Sequence, residues 1–302
     1  QHRYIYKNKK LHSIPSSRGE FLKSGLVKFS EKIRSLGGPA MERGGLFNSL
    51  LRDQWSRDQW LKMEKVCSFK WGMGTLTARL EEEFRSKIQY GCEVESIEKN
   101  PKGGFKVRRK DRLMAVDADV VVVATPASIV GAILKTLDKK IMELLSDITY
   151  APMIMVYTGF SEKDVPRALD GFGVSVAGSE GIRLLGSVWL SALFPNRAPK
   201  GVAMFANFFG GESDVHSINL TEEEIIGAVR HDLEMVMGIA ACPQFVYVKR
   251  WQQAIPQYAT GYAEQIGAIK SCIKNIPGLF LTGGYFNALS VSDTISYSKN
   301  VV

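Results

Sequence analysis

Apolar positions recur along this chain with two periods, and the switches between them predict the elements. Tyr4-Ile5-Tyr6 and 11–14 alternate as two strands around a turn at Lys7-Asn8-Lys9-Lys10. Phe21, Leu22, Leu26, Phe29 and Ile33 have helical spacing and predict a helix over 20–33, which Gly37-Gly38-Pro39 closes off. Leu46, Leu50, Leu51, Trp55 and Trp60 predict a further helix, or a pair, over 45–61. Leu76, Leu80 and Phe84 predict another over 72–84, with Thr75 as its N-cap.

From Gly91 the pattern becomes that of β-strands. A hairpin is expected from 92–98 and 104–109 through Asn100-Pro101-Lys102-Gly103, and the β-branched run 118–124 predicts one strand buried on both faces. Helices are expected over 128–137 and 139–145, and strands over 153–160, 173–176, 184–190, 202–209 and 245–249. Thr221-Glu222-Glu223-Glu224 is a capping box opening a helix over 221–237, and a helix over 262–272 follows Pro256. Leu279-Phe280-Leu281 reads as a short buried strand, Thr282-Gly283-Gly284 as a turn, and Val291, Ile295 and Ser298 as a helix face. Strands and helices mix without strict βαβ alternation, so the fold class is α+β or irregular α/β with at least two layers.

With 302 residues, 45% hydrophobic and 23% charged, the chain is long enough for one or two globular domains. Its net charge of +8 is concentrated at one end, where residues 1–34 hold nine Lys and Arg against two acidic residues. Such a block suits anionic lipid, an acidic small molecule or nucleic acid, or is a plain solvated surface; nothing else resembles a nucleic-acid module. Four scattered cysteines and four scattered histidines show neither zinc nor disulfide spacing, and a reducing compartment fits the cysteines best. No apolar run reaches the roughly 18 residues that span a bilayer.

No nucleophile elbow, P-loop or GxGxxG is present. The terminal strand, glycine turn and helix could bring backbone N–H groups and a helix N-terminus to a bound anion or cofactor edge, or serve as a plain turn. What stands out is a series of short signatures. They are Arg3-Tyr4-Ile5-Tyr6 with Leu11-His12-Ser13-Ile14-Pro15; Ser68-Phe69-Lys70-Trp71-Gly72-Met73-Gly74-Thr75-Leu76; and Val120-Val121-Val122-Val123-Ala124-Thr125-Pro126-Ala127. Further along come Leu184-Leu185-Gly186 with Phe194-Pro195-Asn196-Arg197-Ala198-Pro199; Trp251 with Ala254-Ile255-Pro256-Gln257-Tyr258; and Gly283-Gly284-Tyr285 with Ser290-Val291-Ser292-Asp293. In this order the set resembles the protoporphyrinogen oxidase family of flavin-dependent amine oxidases.

The resemblance implies a two-domain fold with FAD as cofactor, oxidation of a porphyrinogen, and dioxygen or another electron acceptor. It further implies peripheral or monotopic membrane association inside the cell, and allows a homodimer. Residues 1–63 and 150–250 would belong to a β-rich substrate domain, the first with part of a helical region. Residues 64–149 and 251–302 would belong to the FAD domain. Val94 would meet the adenine, Trp251 would sit beside the flavin, and Leu289, Ser290 and Val291 would form the loop at the flavin ring. Arg3 would pair with a propionate, and Phe172 and Gly173 would line the porphyrinogen cavity. Each has a structural alternative: Val94, Trp251 and Phe172 as core residues, 289–291 as an ordinary turn, Arg3 as a flexible terminal arginine. Other readings are a flavin amine oxidase or carotenoid-desaturase relative with another substrate, and a non-catalytic homologue.

The sequence departs from the family at Trp71 and Ala288, each in place of a glycine. It also lacks the family's GxGxxG unit with its ribose-binding acid, and between Arg34 and Glu42 most of a helical membrane-associating region. The reading is that these residues belong to a longer protein carrying both segments.

Overall fold

The structure, a computed structural model, describes residues 2–14, 68–111, 115–286 and 290–301. The helices expected over 20–33 and 45–61, and Leu289, lie outside the described residues. In chain order the elements begin with strands β1 (His2–Lys7) and β2 (Lys10–Ile14), helix α1 (Gly74–Phe84), and strands β3 (Val94–Lys99), β4 (Phe105–Arg109), β5 (Val116–Ala118) and β6 (Val121–Val123). Helices α2 (Ala127–Leu134) and α3 (Lys139–Ser146) lead to β7 (Tyr150–Ser161), β8 (Gly171–Val176), β9 (Gly186–Trp189), the single turn α4 (Leu190–Leu193) and β10 (Val202–Gly210). The chain continues with α5 (Glu222–Met237), β11 (Phe245–Pro256), α6 (Tyr262–Lys274), β12 (Leu279–Leu281) and α7 (Val291–Ser298).

Two compact units result, one from Gln1–Leu76 with Ala151–Ala254, the other from Thr77–Tyr150 with Ile255–Val302. The first is built on a seven-stranded sheet in the order β11-β7-β10-β9-β8-β1-β2. Only the β1–β8 pair is described as parallel among the registered neighbours. One face of this sheet carries Ile154, Val156, Phe160, Phe205 and Trp189, which pack with Ile225, Val229 and Leu233 of α5. Full burial of each such side chain contributes about 1.5–3 kcal/mol. α5 starts where its capping box predicts: Thr221 Oγ1 accepts from Glu224 N at 3.2 Å, and Glu224 Oε2 accepts from Thr221 N at 2.8 Å. It ends at Gly238 in the left-handed conformation. Two polar groups sit inside this core with partners. Asp232 accepts from Leu184 N at 2.8 Å, and Asn207 Nδ2 donates to Val156 O and Thr158 Oγ1.

In the second unit β6 pairs in parallel with β12, and β3, β4 and β5 form a separate antiparallel sheet. Phe105, Leu134, Ile141, Leu145 and Ile269 centre its core.

Three expectations need correction. The run 118–124 is not one doubly buried strand: β5 and β6 belong to different sheets, and Val120 and Val122 are half exposed. The chain bends at Asp119, and Val121 N there donates to Gly278 O at 2.8 Å, starting the pairing with β12. Thr75 is not the N-cap of α1, which begins at Gly74; Thr75 N already donates to Gly72 O. The strand placed at 245–249 extends to Pro256, so Trp251 lies within β11.

Candidate functional site

In the first unit, a strand irregularity gathers three of the residues singled out in the sequence. β1 and β8 pair in register at His2↔Gly171 and again at Tyr4↔Val174, so one residue, Arg3, stands opposite two, Phe172 and Gly173. This is a β-bulge, a feature that re-aims side chains and terminates regular pairing. Arg3 Cζ lies 5.7 Å from the centre of the Phe172 ring, within cation–π range. Burial lowers the Arg3 guanidinium from its ordinary value, yet an arginine keeps its charge throughout the accessible pH range. Arg3 is thus held against a ring and a sheet, and Phe172 is half-buried, not a core residue.

Gly173 makes the bulge feasible. Its φ is +152°, and a Cβ built on it would lie 2.2 Å from Ser187 O and 3.0 Å from Val188 Cα of β9. Only a residue without a side chain allows β8 and β9 to approach this closely. The registers carry the row onward: Gly173 opposes Val188, Val188 opposes Ala206, and Ala206 opposes Tyr157. Residues opposite each other across a sheet share a face, so these side chains stand on the face turned away from the Trp189–Phe205 core.

At the β11 edge this face becomes aromatic. Phe245, Tyr247 and Trp251 are about half exposed and alternate with Val246 and Val248, which pack against the core. The Tyr157 and Tyr247 rings are 6.2 Å apart, and Lys249 Nζ lies 4.9 Å from the Trp251 ring. Trp251 is therefore not a core tryptophan. Sequence reasoning missed Tyr157 and Tyr247, although each lies in an expected strand, 153–160 and 245–249; only the register and the ring contact place them on the Gly173 face.

In the second unit, the expected strand, glycine turn and helix are present. Thr282 N donates to Val123 O at 3.0 Å, closing β12 on β6. Gly283 then has φ +152°, and a Cβ there would lie 2.7 Å from the Tyr285 ring. Tyr258 Oη donates to Gly284 O at 2.9 Å and Tyr262 Oη to Tyr285 O at 2.5 Å, so two tyrosines fix the turn's carbonyls. Burial first, then neighbouring tyrosines, push Tyr262 and Tyr285 well above the usual range, and burial, Tyr150 and Asp293 push Tyr258 up to about 12. Ser290 caps α7, accepting from Asp293 N at 3.0 Å; Val291 opens the helix and is half exposed. Val94 is half-buried at the start of β3, paired with Arg109 and packed against the core of this unit. Leu289 lies outside the described residues.

These residues fit one edge of a flavin nucleotide. A Cβ on Gly284 would meet nothing within 4 Å, so the turn faces open space there. The buried Tyr285 hydroxyl has no hydrogen-bond partner among the described residues. The first N–H groups of α7 have no acceptor within the helix, which suits an oxygen- or nitrogen-rich ring edge. A pyrophosphate is not provided for, because the sequence contains no glycine-rich phosphate turn.

Residues 41–295 match the family described as flavin containing amine oxidoreductase. The chain is 30% identical over 236 residues to chloroplastic protoporphyrinogen oxidase of Oryza sativa subsp. japonica, covering 74% of this chain and 44% of that one. It is 28% identical to the chloroplastic protoporphyrinogen oxidase of Nicotiana tabacum, over 80% of this chain and 46% of that one. It is 25% identical to coproporphyrinogen III oxidase of Bacillus subtilis, over 76% and 49%. The chain thus spans about half the length of the curated relatives it matches. In fold it is similar to a solved protein from Exiguobacterium sp. 255-15, with TM-score 0.75 at 18% identity, covering 99% of this chain and 78% of that one. Cyclohexylamine oxidase from Brevibacterium oxydans IH-35A is similar with TM-score 0.57 at 15% identity, covering 71% and 47%. By the span of the family match and the shared fold, this chain belongs to the flavin containing amine oxidoreductases, a membership that implies FAD as cofactor.

Proposed function

We propose that this chain forms part of an FAD-dependent oxidoreductase that converts a porphyrinogen into the porphyrin. The observation that carries the reading is the bulge that sets Arg3 opposite Phe172 and Gly173. A porphyrinogen is a broad, apolar macrocycle edged with propionates. Gly173, Val188 and Ala206 stand in the middle of this sheet face, with a cation at one end and aromatic rings at the other. Arg3 would pair with a propionate through its planar fork, and Phe172 would pack against a pyrrole ring. When bound, FAD supplies the electron-accepting chemistry, so the absence of a nucleophile with its base is consistent. Val94, Ser290, Val291 and the 282–285 turn would hold it, and Leu289 and Trp251 belong to the same proposal. The second unit would then be part of the FAD domain and the first the substrate domain.

Reoxidation by dioxygen or another acceptor, and peripheral membrane association, are further parts of this reading. The second is supported by the basic residues within 1–34. No described helix is long and apolar enough to cross a membrane.

The test follows porphyrin fluorescence as the full natural protein turns over protoporphyrinogen, with coproporphyrinogen beside it. Arg3→Gln is expected to raise KM roughly tenfold or more, the loss of a charge-assisted pair. Arg3→Lys, which keeps the charge but not the fork, is expected to fall between. Unchanged KM in Arg3→Gln, or no porphyrin formed from either substrate by FAD-loaded protein, would refute the assignment.

A further inference from the structure

We propose that Tyr4 and Asp170 are positioning residues for the Arg3 site: their hydrogen bond pins the bulge from the opposite face of the sheet and so fixes where the guanidinium stands. The inference rests on the reading of Arg3 as the partner of a propionate, and adds the residues that aim it.

The register locates the bond. β1 and β8 run parallel, with His2 opposite Gly171 before the bulge and Tyr4 opposite Val174 after it. Tyr4 Oη nonetheless donates to Asp170 Oδ1 at 2.8 Å. Asp170 immediately precedes Gly171, so a side chain rooted beyond the bulge reaches back across it to the residue ahead of it. A bulge disrupts the ladder locally, so main-chain pairing holds the two strands less firmly over this stretch than elsewhere. The Tyr4–Asp170 bond ties them there.

Tyr4 is itself held. Its ring centre lies 5.5 Å from that of Trp189, a fully buried residue, and the Arg167 guanidinium carbon sits 4.8 Å from the Tyr4 ring and 5.8 Å from the Trp189 ring. Burial, then the bond to Asp170, raises the Tyr4 hydroxyl above its ordinary value, while Arg167 acts the other way through its charge and a hydrogen bond. The phenol keeps its proton at neutral pH and is the donor to the carboxylate. Successive side chains of a strand point to opposite faces, so Tyr4 on the Trp189 side leaves Arg3 on the Phe172 side. One planar peptide unit joins the two residues, and a twist of β1 that parts Tyr4 from Asp170 also turns Arg3. Asp170 is exposed and water competes for the bond, so its role is orientation more than stability.

Binding of protoporphyrin to the full natural protein, followed by quenching of tryptophan fluorescence, tests the proposal, with protoporphyrin dimethyl ester as the probe that lacks carboxylates. Tyr4→Phe keeps the ring stack and removes only the bond. It and Asp170→Ala are each expected to weaken protoporphyrin roughly fivefold and to leave the ester as it is. Asp170→Asn retains an acceptor and should lie nearer the unaltered protein than Asp170→Ala. In an Arg3→Gln background Tyr4→Phe should add nothing, because its effect passes through Arg3. Unchanged protoporphyrin affinity in either Tyr4→Phe or Asp170→Ala would overturn the inference. So would an equal loss for the ester, no recovery in Asp170→Asn, or losses that add to that of Arg3→Gln. If Arg3→Gln alone weakens protoporphyrin, only this inference falls; if Arg3→Gln changes nothing, the propionate assignment falls and takes this inference with it.

Discussion

Gly173→Ala is the sharpest probe of the bulge. The added methyl would lie 2.2 Å from Ser187 O and 3.0 Å from Val188 Cα, both main-chain atoms of a strand held on either side by β8 and β10. No rotamer can relieve this, so β9 must retreat by about 1 Å or the bulge must be lost. Holding an L-residue at φ +152° adds about 1–3 kcal/mol of backbone strain. Disturbing one or two ladder hydrogen bonds adds about 1 kcal/mol each. The expected loss is therefore about 3–5 kcal/mol, in the range that single substitutions reach only by a specific mechanism. Denaturant unfolding of the full protein measures it as a lowered midpoint at constant m-value. KM for the porphyrinogen should rise in the same variant, since Arg3 loses its opposing residues. A loss under about 1 kcal/mol with KM unchanged would refute both the close approach and the role of the bulge.

Gly227→Ala is the matching control: Gly227 is exposed inside α5 with nothing within 4 Å of a new Cβ, so a gain of about 0.5–1 kcal/mol is expected by the same unfolding assay. Asp232→Ala removes the acceptor of buried Leu184 N and should cost about 1–3 kcal/mol, whereas Asp232→Asn, which keeps an acceptor, should cost less; equal losses would count against that bond. Burial raises the Asp232 carboxyl above its ordinary value, so its folded-state proton is favoured and its contribution to stability falls as pH rises from about 4. Asp232→Asn should therefore flatten the acid side of the stability–pH curve. On the alkaline side, Tyr258, Tyr262 and Tyr285 are all raised, so their contribution is complete below about pH 10 and is lost as pH climbs through about 12 for Tyr258. Tyr258→Phe should weaken that alkaline dependence while freeing the Gly284 carbonyl, seen as a looser turn by hydrogen exchange.

What the sequence determined by itself is local. The capping box at Thr221 and Glu224, the apolar runs read as strands at 153–160 and 202–209, and the strand–turn–helix at 279–298 each arise from neighbours a few residues apart, and the structure shows them. Where the outcome depended on distant pairing, periodicity was silent or misled. The run 118–124 reads as one buried strand, but its two ends join different sheets, and the bend at Asp119 follows from contacts with β4 and with the segment before β12. The sequence likewise offers Arg3, Phe172 and Gly173 through resemblance to a family, with no indication from spacing that they meet. They are about 170 positions apart, and a bulge exists only when β1 pairs with β8, a register set by the whole sheet. Tyr157 and Tyr247, and the stack of Arg167 on Tyr4 and Trp189, were hidden for the same reason: a strand's own pattern tells which residues share a side, and only its neighbours decide which other residues stand beside them.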